Sequence, residues 1–454
     1  MAPAAQNSQL QDTTLPTLPK PPKADDHGCI AEAKRLAQPH EHGLAAQALL
    51  EWEGLGGNIF CLTTPPHVWY SGWLLDWVPQ GMAYALDKLS PSTHTFHLPG
   101  DLNSTAQMAT MAIPILLHCG KLRPSENNTV TNDVNLARSE AHIRHLLEHV
   151  PRTPTGAISH YNSIATIRAE SVFSVLPALA WHGMTADDMA MFDRALALWR
   201  TYRTELNPLG NSWWAVQSCA LCDDPGRPSC GCLKRRHITP VALAAAGLLR
   251  LLGVVKYVNG LARQEQKLQS RAPSEIETFR GGEEHALQEE VIRLLEVALD
   301  EQAVDEETGL VLHWLDNKTT PRVVSVGGTA LLVATIYNLV MMIPESASAF
   351  KPQLMWANKR YHAVIRWLDT ERAEREGDRV NHRSCGLYCS ALMMMGARNN
   401  PRLRQVLSLA GEGQQNQAQD TQQRGESQQG EQSANSWAGD VDGNIARNRK
   451  QKAD

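Results

Sequence analysis

The residue of this chain best suited to acid–base chemistry is Glu170. It lies in the segment 151–183, which begins with a Pro- and Gly-containing turn that carries His160 and continues as an almost wholly apolar helix. A carboxyl group among apolar side chains is costly to ionise unless it is paired, and in its protonated form it can act as a general acid. The alternative is that Glu170 turns to the solvent side of an amphipathic helix, where glutamates are common.

A second group of chemically active residues follows further along the chain. Two residues separate Cys219 from Cys222, one residue separates Cys230 from Cys232, and His237 comes five positions after Cys232. Thiolates at such spacings can close a tetrahedral zinc site, although the second Cys pair departs from the usual zinc spacing. A disulfide is another alternative. A loop that binds no metal is the outcome that we expect here.

Two further residues have side chains that suit sugar binding. His313 and Trp314 stand together in the sequence HWLDN, and a Trp beside polar groups can stack against a sugar ring. An exposed hairpin would give the same pattern. His160 is likewise either a cleft residue near Glu170 or a histidine of the turn.

The composition is that of a soluble globular protein. Of the 454 residues 43% are hydrophobic and 20% are charged, and the net charge of −5 argues against nucleic acid or an anionic membrane as the main partner. The chain has no Gly-rich phosphate loop, GxSxG elbow or HExxH motif, so the common nucleotide-binding, serine-hydrolase and zinc-protease functions are not indicated.

The two ends of the chain are polar and predict disorder. Residues 1–27 are rich in Pro and Gln, and residues 410–454 form a Gln-rich tail with too few apolar residues to fold, which leaves one folded domain over residues 28–409. The first residues have no apolar core segment, so they do not read as a secretory signal and we expect a cytoplasmic protein. A different N-terminus would instead allow secretion.

Helix-length segments dominate the region between the ends, and strand signals are confined to Asn58–Thr63 and Arg322–Val326. The predicted helices cover residues 29–38, 43–52, 75–89, 104–120, 133–149, 164–182, 186–204, 239–258, 284–301, 326–343, 352–370 and 384–397. Very apolar helices alternate with amphipathic ones, which indicates an inner and an outer layer. The pattern therefore predicts an all-α fold, an (α/α)6 toroid of six helical hairpins, with a helical repeat array as the alternative.

Four segments in order resemble the six-hairpin glycosidases, specifically fungal relatives of the unsaturated rhamnogalacturonyl and glucuronyl hydrolases of glycoside hydrolase families 88 and 105. These segments are EHGLAAQALLEW at 41–52, VPRTPTGAISH at 150–160, GLVLHWLDN at 309–317 and GGTALLVATIYNLV at 327–340. The resemblance covers about residues 40–400 and implies the same toroid.

The resemblance also implies a reaction. In this family a carboxylic acid on an inner helix protonates the C4=C5 double bond of an unsaturated uronic acid, water adds to the other carbon, and the product opens and expels the remaining sugar. No cofactor takes part. The family's Trp-Ala-Asp corresponds to Arg168-Ala169-Glu170, so Glu170 is implied as the proton donor and a small acidic sugar as the partner.

The chain departs from the family at several positions. Glu replaces Asp at the proton donor, and Arg168 stands where the family has an aromatic residue, so that it could act on Glu170 or bind a substrate carboxylate. The family's second acid has only Asp101 as a candidate, and Ala106 occupies the aligned position. These departures support a second hypothesis, a member without glycosidase activity that serves a fungal secondary-metabolite pathway or acts as a binding protein.

Overall fold

The computed structural model describes most of the central region of the chain. The described residues are 28–38, 41–52, 80–88, 130–163, 165–186, 188–207, 217–219, 237–269, 275–299, 303–313, 323–343, 348–374, 384–400 and 403–404. The segments predicted to be disordered, residues 1–27 and 410–454, lie outside these ranges, as do the predicted strand at 58–63 and the predicted helix at 104–120.

Helices dominate the described part of the chain. They are α1 (Cys29–Leu36), α2 (His42–Trp52), α3 (Gln80–Lys88), α4 (Val130–Glu148), α5 (Ala169–Thr185), α6 (Met189–Leu206), α7 (Ile238–Gln269), α8 (Glu275–Ala298), α9 (Val326–Met342), α10 (Lys351–Glu374) and α11 (Cys385–Asn399). Two three-residue strands, β1 (Thr166–Arg168) and β2 (Gln217–Cys219), pair antiparallel with Arg168 opposite Gln217. The predicted all-α architecture is confirmed.

The helices form two layers. Every residue of α5 except Glu170 and Met184 is buried, and so is every residue of α9 except Gly327 and Met342. Helix α6 by contrast buries one stripe, at the helical spacing of Phe192, Ala195, Trp199 and Tyr202, among others. The apolar helices therefore form the inner layer and the amphipathic helices the outer one, as the sequence predicts.

Contacts between helices define the order of the ring. The inner helices pack as neighbours in the order α5, α7, α9, α11, α2, and α6, α8 and α10 each pack against the inner helix that precedes them. This succession of helical hairpins around one core is the arrangement expected for the toroid. It also excludes a linear repeat array, because α11 at the end of the chain packs against α2 near its start.

Helix α7 includes the one described segment, Ile238–Gln264, that is long and apolar enough to cross a membrane. In the most apolar 18-residue stretch of this segment, 89% of the residues are buried inside the protein. Core helices of large domains have this character, since they are surrounded by other helices on all sides.

Several boundaries differ from the prediction, and two of them lie near the cavity described below. The helix expected from residue 164 begins at Ala169, because Thr166 and Ile167 are β-branched and join strand β1 instead. The strand expected at Arg322–Val326 is reduced to a single bridge between Leu312 and Val324, because helix α9 already begins at Val326.

Candidate active site

A cavity of about 670 Å³ opens at one end of the inner ring, a size typical of small-molecule sites. The first turns of the five inner helices in the described part of the chain contribute to its wall. These contributions are Leu44 of α2, Glu170 of α5, Thr239 of α7, Gly327 and Gly328 of α9, and Gly386 and Leu387 of α11. The N-terminal ends of the inner helices, which carry the positive ends of their dipoles, therefore converge on one space.

Glu170 lies on this wall in the first turn of α5 and is paired with Arg168. The Nη2 and Nε atoms of Arg168 donate to the two oxygens of Glu170 at 3.0 and 3.3 Å, and Nη1 donates to the hydroxyl of Tyr161 at 3.0 Å. The side chains of Arg168 and Glu170 are 29% and 24% exposed. Glu170 is therefore neither an isolated buried acid nor a freely solvated one.

The environment keeps Arg168 cationic. Burial acts to lower the pKa of Arg168, but the Glu170 carboxylate and the Tyr161 hydroxyl outweigh burial and raise the pKa above its ordinary value. A planar guanidinium bonded to both oxygens of a carboxylate is a strong, geometrically specific pair. The arginine that replaces an aromatic residue of the resembled family thus faces Glu170.

The turn before β1 positions the partners of Arg168. Gly156, with a backbone φ of 94°, makes the reversal that an L side chain rarely adopts, and the guanidinium of Arg152 donates to its carbonyl at 2.9 Å. His160, 1% exposed, lies 2.9 Å through Nδ1 from the Ser171 hydroxyl, and its ring packs edge-on against Tyr161. His160 is thus placed behind the cavity wall, where it supports Tyr161.

Another part of the wall carries His313, which is paired with His237. The Thr239 backbone N–H donates to Nδ1 of His237 at 3.1 Å, so in the neutral ring the proton is on Nε2. The Nε2 atoms of His237 and His313 are 2.5 Å apart, which makes His237 the donor and His313 the acceptor. Burial and the neighbouring His313 lower the pKa of His237 to about 4, and burial lowers the pKa of His313, so both rings are neutral at pH 7.

The hydrogen bond from the Thr239 N–H to Nδ1 of His237 argues against zinc binding through Nε2 of this histidine. A histidine that binds a metal through Nε2 carries its proton on Nδ1, and the Thr239 N–H occupies that position in His237. Within the described ranges no group of three or more His, Cys, Asp or Glu side chains could hold a metal ion. Cys222, Cys230 and Cys232 lie outside those ranges, and of Cys219 only the backbone in β2 is described.

The structure thus brings together part of the predicted site. Glu170 and His313 both line the cavity, and Arg168 adjoins it through Glu170. Asp101 and Trp314 lie outside the described residues. The sequence interpretation missed Tyr161 and the cavity-lining Trp367, and it considered His237 only beside the Cys cluster, not as the partner of His313.

Comparison with known proteins finds similarity in structure rather than in sequence. No protein-family model matches the chain, and no curated protein sequence matches it significantly. A family 105 glycoside hydrolase from C. acetobutylicum ATCC 824 superposes with a TM-score of 0.56 at 11% identity, over 82% of this chain and 99% of the other. Two possible members of the same family are also similar. The protein from Klebsiella pneumoniae has a TM-score of 0.53 at 12% identity, over 87% of this chain and 97% of that protein. The protein from Salmonella enterica has a TM-score of 0.51 at 11% identity, over 87% and 98%.

These similarities agree with the helical architecture described above. The chain has the all-α, six-hairpin toroid fold of the family 105 glycoside hydrolases, at a sequence identity that marks it as strongly divergent.

Proposed function

We propose that this protein is a glycoside hydrolase-like enzyme that acts on an unsaturated uronic-acid glycoside by protonating and hydrating its C4=C5 bond, with Glu170 as the proton donor. The observation that carries the proposal is the position of the Glu170 carboxylate. It lies at the N-terminal end of an inner helix, on the wall of the cavity described above in a six-hairpin toroid.

Several features of the cavity suit an acidic sugar. The converging ends of five inner helices each favour negative charge, with a typical contribution of about 0.3–1 kcal/mol at a helix terminus. Arg168 holds a carboxylate there already. Trp367 and Phe173 give the same cavity aromatic surface, against which the apolar face of a sugar ring can pack.

The proposed reaction balances without a cofactor. The carboxylic acid of Glu170 gives its proton to one carbon of the double bond, and the hydroxyl of a water molecule joins the other. The remaining proton of that water restores the acid, and the hydrated product opens and releases the second sugar. Glu41 is the other carboxylate on the described cavity wall. It is the candidate base that takes the proton from the attacking water and returns it through solvent to Glu170.

One observation favours a second function. A general acid must carry a proton, whereas an arginine bonded to both oxygens of a carboxylate stabilises its charged form. If that pair persists when a ligand is bound, the cavity would serve as a binding site for an acidic sugar or a fungal metabolite, without glycosidase chemistry.

A paired assay separates these functions. The assay uses unsaturated uronic disaccharides and, separately, their saturated counterparts. For each substrate it measures the ultraviolet absorbance of the double bond and the release of free sugar at the same time. The proposal predicts equal loss of double bond and release of sugar, and no cleavage of saturated disaccharides. Cleavage of both kinds would indicate an ordinary glycosidase, and binding without cleavage would support the second function.

A further inference from the structure

The guanidinium of Arg168 is a carboxylate-binding fork that is filled by a side chain of the protein itself. Nε and Nη2 are bonded to Glu170, whereas Nη1 is bonded to the Tyr161 hydroxyl. If Glu170 turned away, the bond to Tyr161 would still hold the arginine in place. The fork would then present two parallel N–H donors, which is the arrangement that recognises a carboxylate from a ligand.

The pair is accessible from the cavity side. Glu170 lines the cavity, and both side chains retain part of their exposed surface, 29% for Arg168 and 24% for Glu170. A uronic acid carries a carboxylate of the same shape and charge as the side chain of Glu170. It can therefore exchange with Glu170 on Arg168 at little net cost in ion pairing, whereas a neutral sugar cannot.

We propose, on the basis of the function above, that the substrate carboxylate displaces Glu170 from Arg168 and that Glu170 takes up a proton as it is displaced. Arg168 is then the residue that selects acidic substrates. Glu170 becomes a general acid only when such a substrate is bound. The proton comes from solvent, one for each ligand, and converts the carboxylate of Glu170 into the acid that the reaction needs.

The charges around Glu170 favour this uptake. With the ligand bound, the carboxylates of Glu170, Glu41 and the ligand would share the cavity with the cation of Arg168. Like charges that are close together disfavour the charged form of one of them. His313 and its partner His237 add no compensating charge at pH 7, because the pKa of each is lowered below its ordinary value.

Calorimetry with a saturated uronate tests the exchange without turnover, because this ligand has no double bond to hydrate. Binding of glucuronate is measured between about pH 5 and pH 8 in buffers of different ionisation enthalpy. For the wild type we expect proton uptake approaching one per ligand, and a Kd that rises by up to about tenfold per pH unit toward alkaline pH. Glucose, the neutral comparator, should bind far more weakly and without proton uptake.

Three substitutions, one at Glu170 and two at Arg168, assign the proton uptake and the carboxylate binding to these residues. Glu170→Gln has the same shape but cannot take up a proton, so its binding should show no uptake and no such slope. Arg168→Lys keeps the charge but loses the fork, and Arg168→Gln loses both, so glucuronate affinity should fall in that order and by about 10-fold or more for Arg168→Gln.

The outcomes distinguish this exchange from the proposed reaction. Wild-type binding of glucuronate without proton uptake, or with the pH dependence of Glu170→Gln, overturns the exchange even if unsaturated disaccharides are cleaved. Proton uptake on glucuronate binding, without cleavage of any unsaturated disaccharide, supports the exchange and overturns the reaction. Absence of glucuronate binding to the wild type overturns the exchange, and the assay with unsaturated disaccharides then decides the reaction separately.

Discussion

Arg168 donates hydrogen bonds to both carboxylate oxygens of Glu170, two residues further along the chain. The two residues stand on either side of a change in backbone structure, since Arg168 ends strand β1 and Glu170 lies in the first turn of α5. The extended backbone of Arg168, with φ −136° and ψ 158°, lets the two side chains meet over so short a separation. To act as an acid, Glu170 must therefore first be released from this ion pair, which stabilises its charged form.

The close approach of α5 and α7 under the cavity depends on a glycine. A Cβ on Gly247 would lie 2.7 Å from both Phe173 Cα and Val172 O of α5. We expect Gly247→Ala to lower the free energy of unfolding by about 1–3 kcal/mol, because backbone atoms of α5 would have to move. Chemical denaturation measures this change.

The matched control is Gly260→Ala in the same helix, where the added Cβ meets nothing within 4 Å. There the higher helix propensity of Ala should raise stability by up to about 1 kcal/mol. Equal effects of the two substitutions would contradict the packing described for α5 and α7.

A buried ion pair joins α2 and α7 below the cavity. Arg250 and Glu51 are 3% and 1% exposed, and Nε of Arg250 donates to Glu51 at 2.9 Å. The guanidinium also lies 4.2 Å from the ring centroid of Phe173, a cavity-lining residue. Glu51→Gln should destabilise the protein by about 3–5 kcal/mol, because it leaves the buried charge of Arg250 without its counter-ion.

A double-mutant cycle checks the assignment. Glu51→Leu combined with Arg250→Met removes both charges and should recover much of the stability lost in either single variant, as measured by denaturant unfolding. Strictly additive losses would show that the two residues do not act as a pair.

The histidine pair predicts a pH dependence of stability. Burial and His313 lower the pKa of His237 from 6.5 to about 4, so the unfolded state binds the proton more readily than the folded state. The contribution of this group is therefore present above pH 6.5 and is lost as the pH falls from 6.5 toward 4.

Thermal unfolding across that window should show a shallower decline for His237→Gln than for the wild type. His285→Gln, which replaces a histidine whose side chain is 73% exposed, is the control and should follow the wild type. Nitrogen NMR at pH 7 should also find the proton on Nε2 of His237, and a proton on Nδ1 instead would contradict the hydrogen bond from Thr239.

The fold was predictable because it depends on periodicity and apolarity. The runs that became α5 and α9 are buried over almost their whole length, and that pattern alone marks them as inner helices. Boundaries were less predictable. The end of α7 at Gln269 lies 11 positions beyond the expected residue 258, because polar residues of its last turns give no apolar signal.

The site was predictable only where the interacting residues are close together in the sequence. Glu170 stands out as one acid in an apolar run, and its pairing with Arg168 is local. The partnership of His237 with His313 joins positions 76 residues apart, and Tyr161 offers no pattern that links it to Arg168. Such contacts arise from the packing of the toroid, and no periodic pattern in the sequence predicts them.

The most direct test of the account is the loss of double-bond absorbance from an unsaturated uronic disaccharide, compared among the wild type, Glu170→Gln and Glu170→Asp. A general acid contributes about 100- to 10,000-fold in rate, so Glu170→Gln should lose activity by that factor. Glu170→Asp retains an acid withdrawn by about 1 Å and should keep a measurable rate, reduced by up to about 100-fold.

Glu289→Gln, a substitution of a carboxylate whose side chain is 67% exposed, serves as the control and should match the wild type. Absorbance that falls with the wild type, is retained with Glu170→Gln and falls slowly with Glu170→Asp is the predicted result. An equal rate of loss in the wild type and Glu170→Gln, with both proteins folded by circular dichroism, would contradict the role of Glu170 as the proton donor.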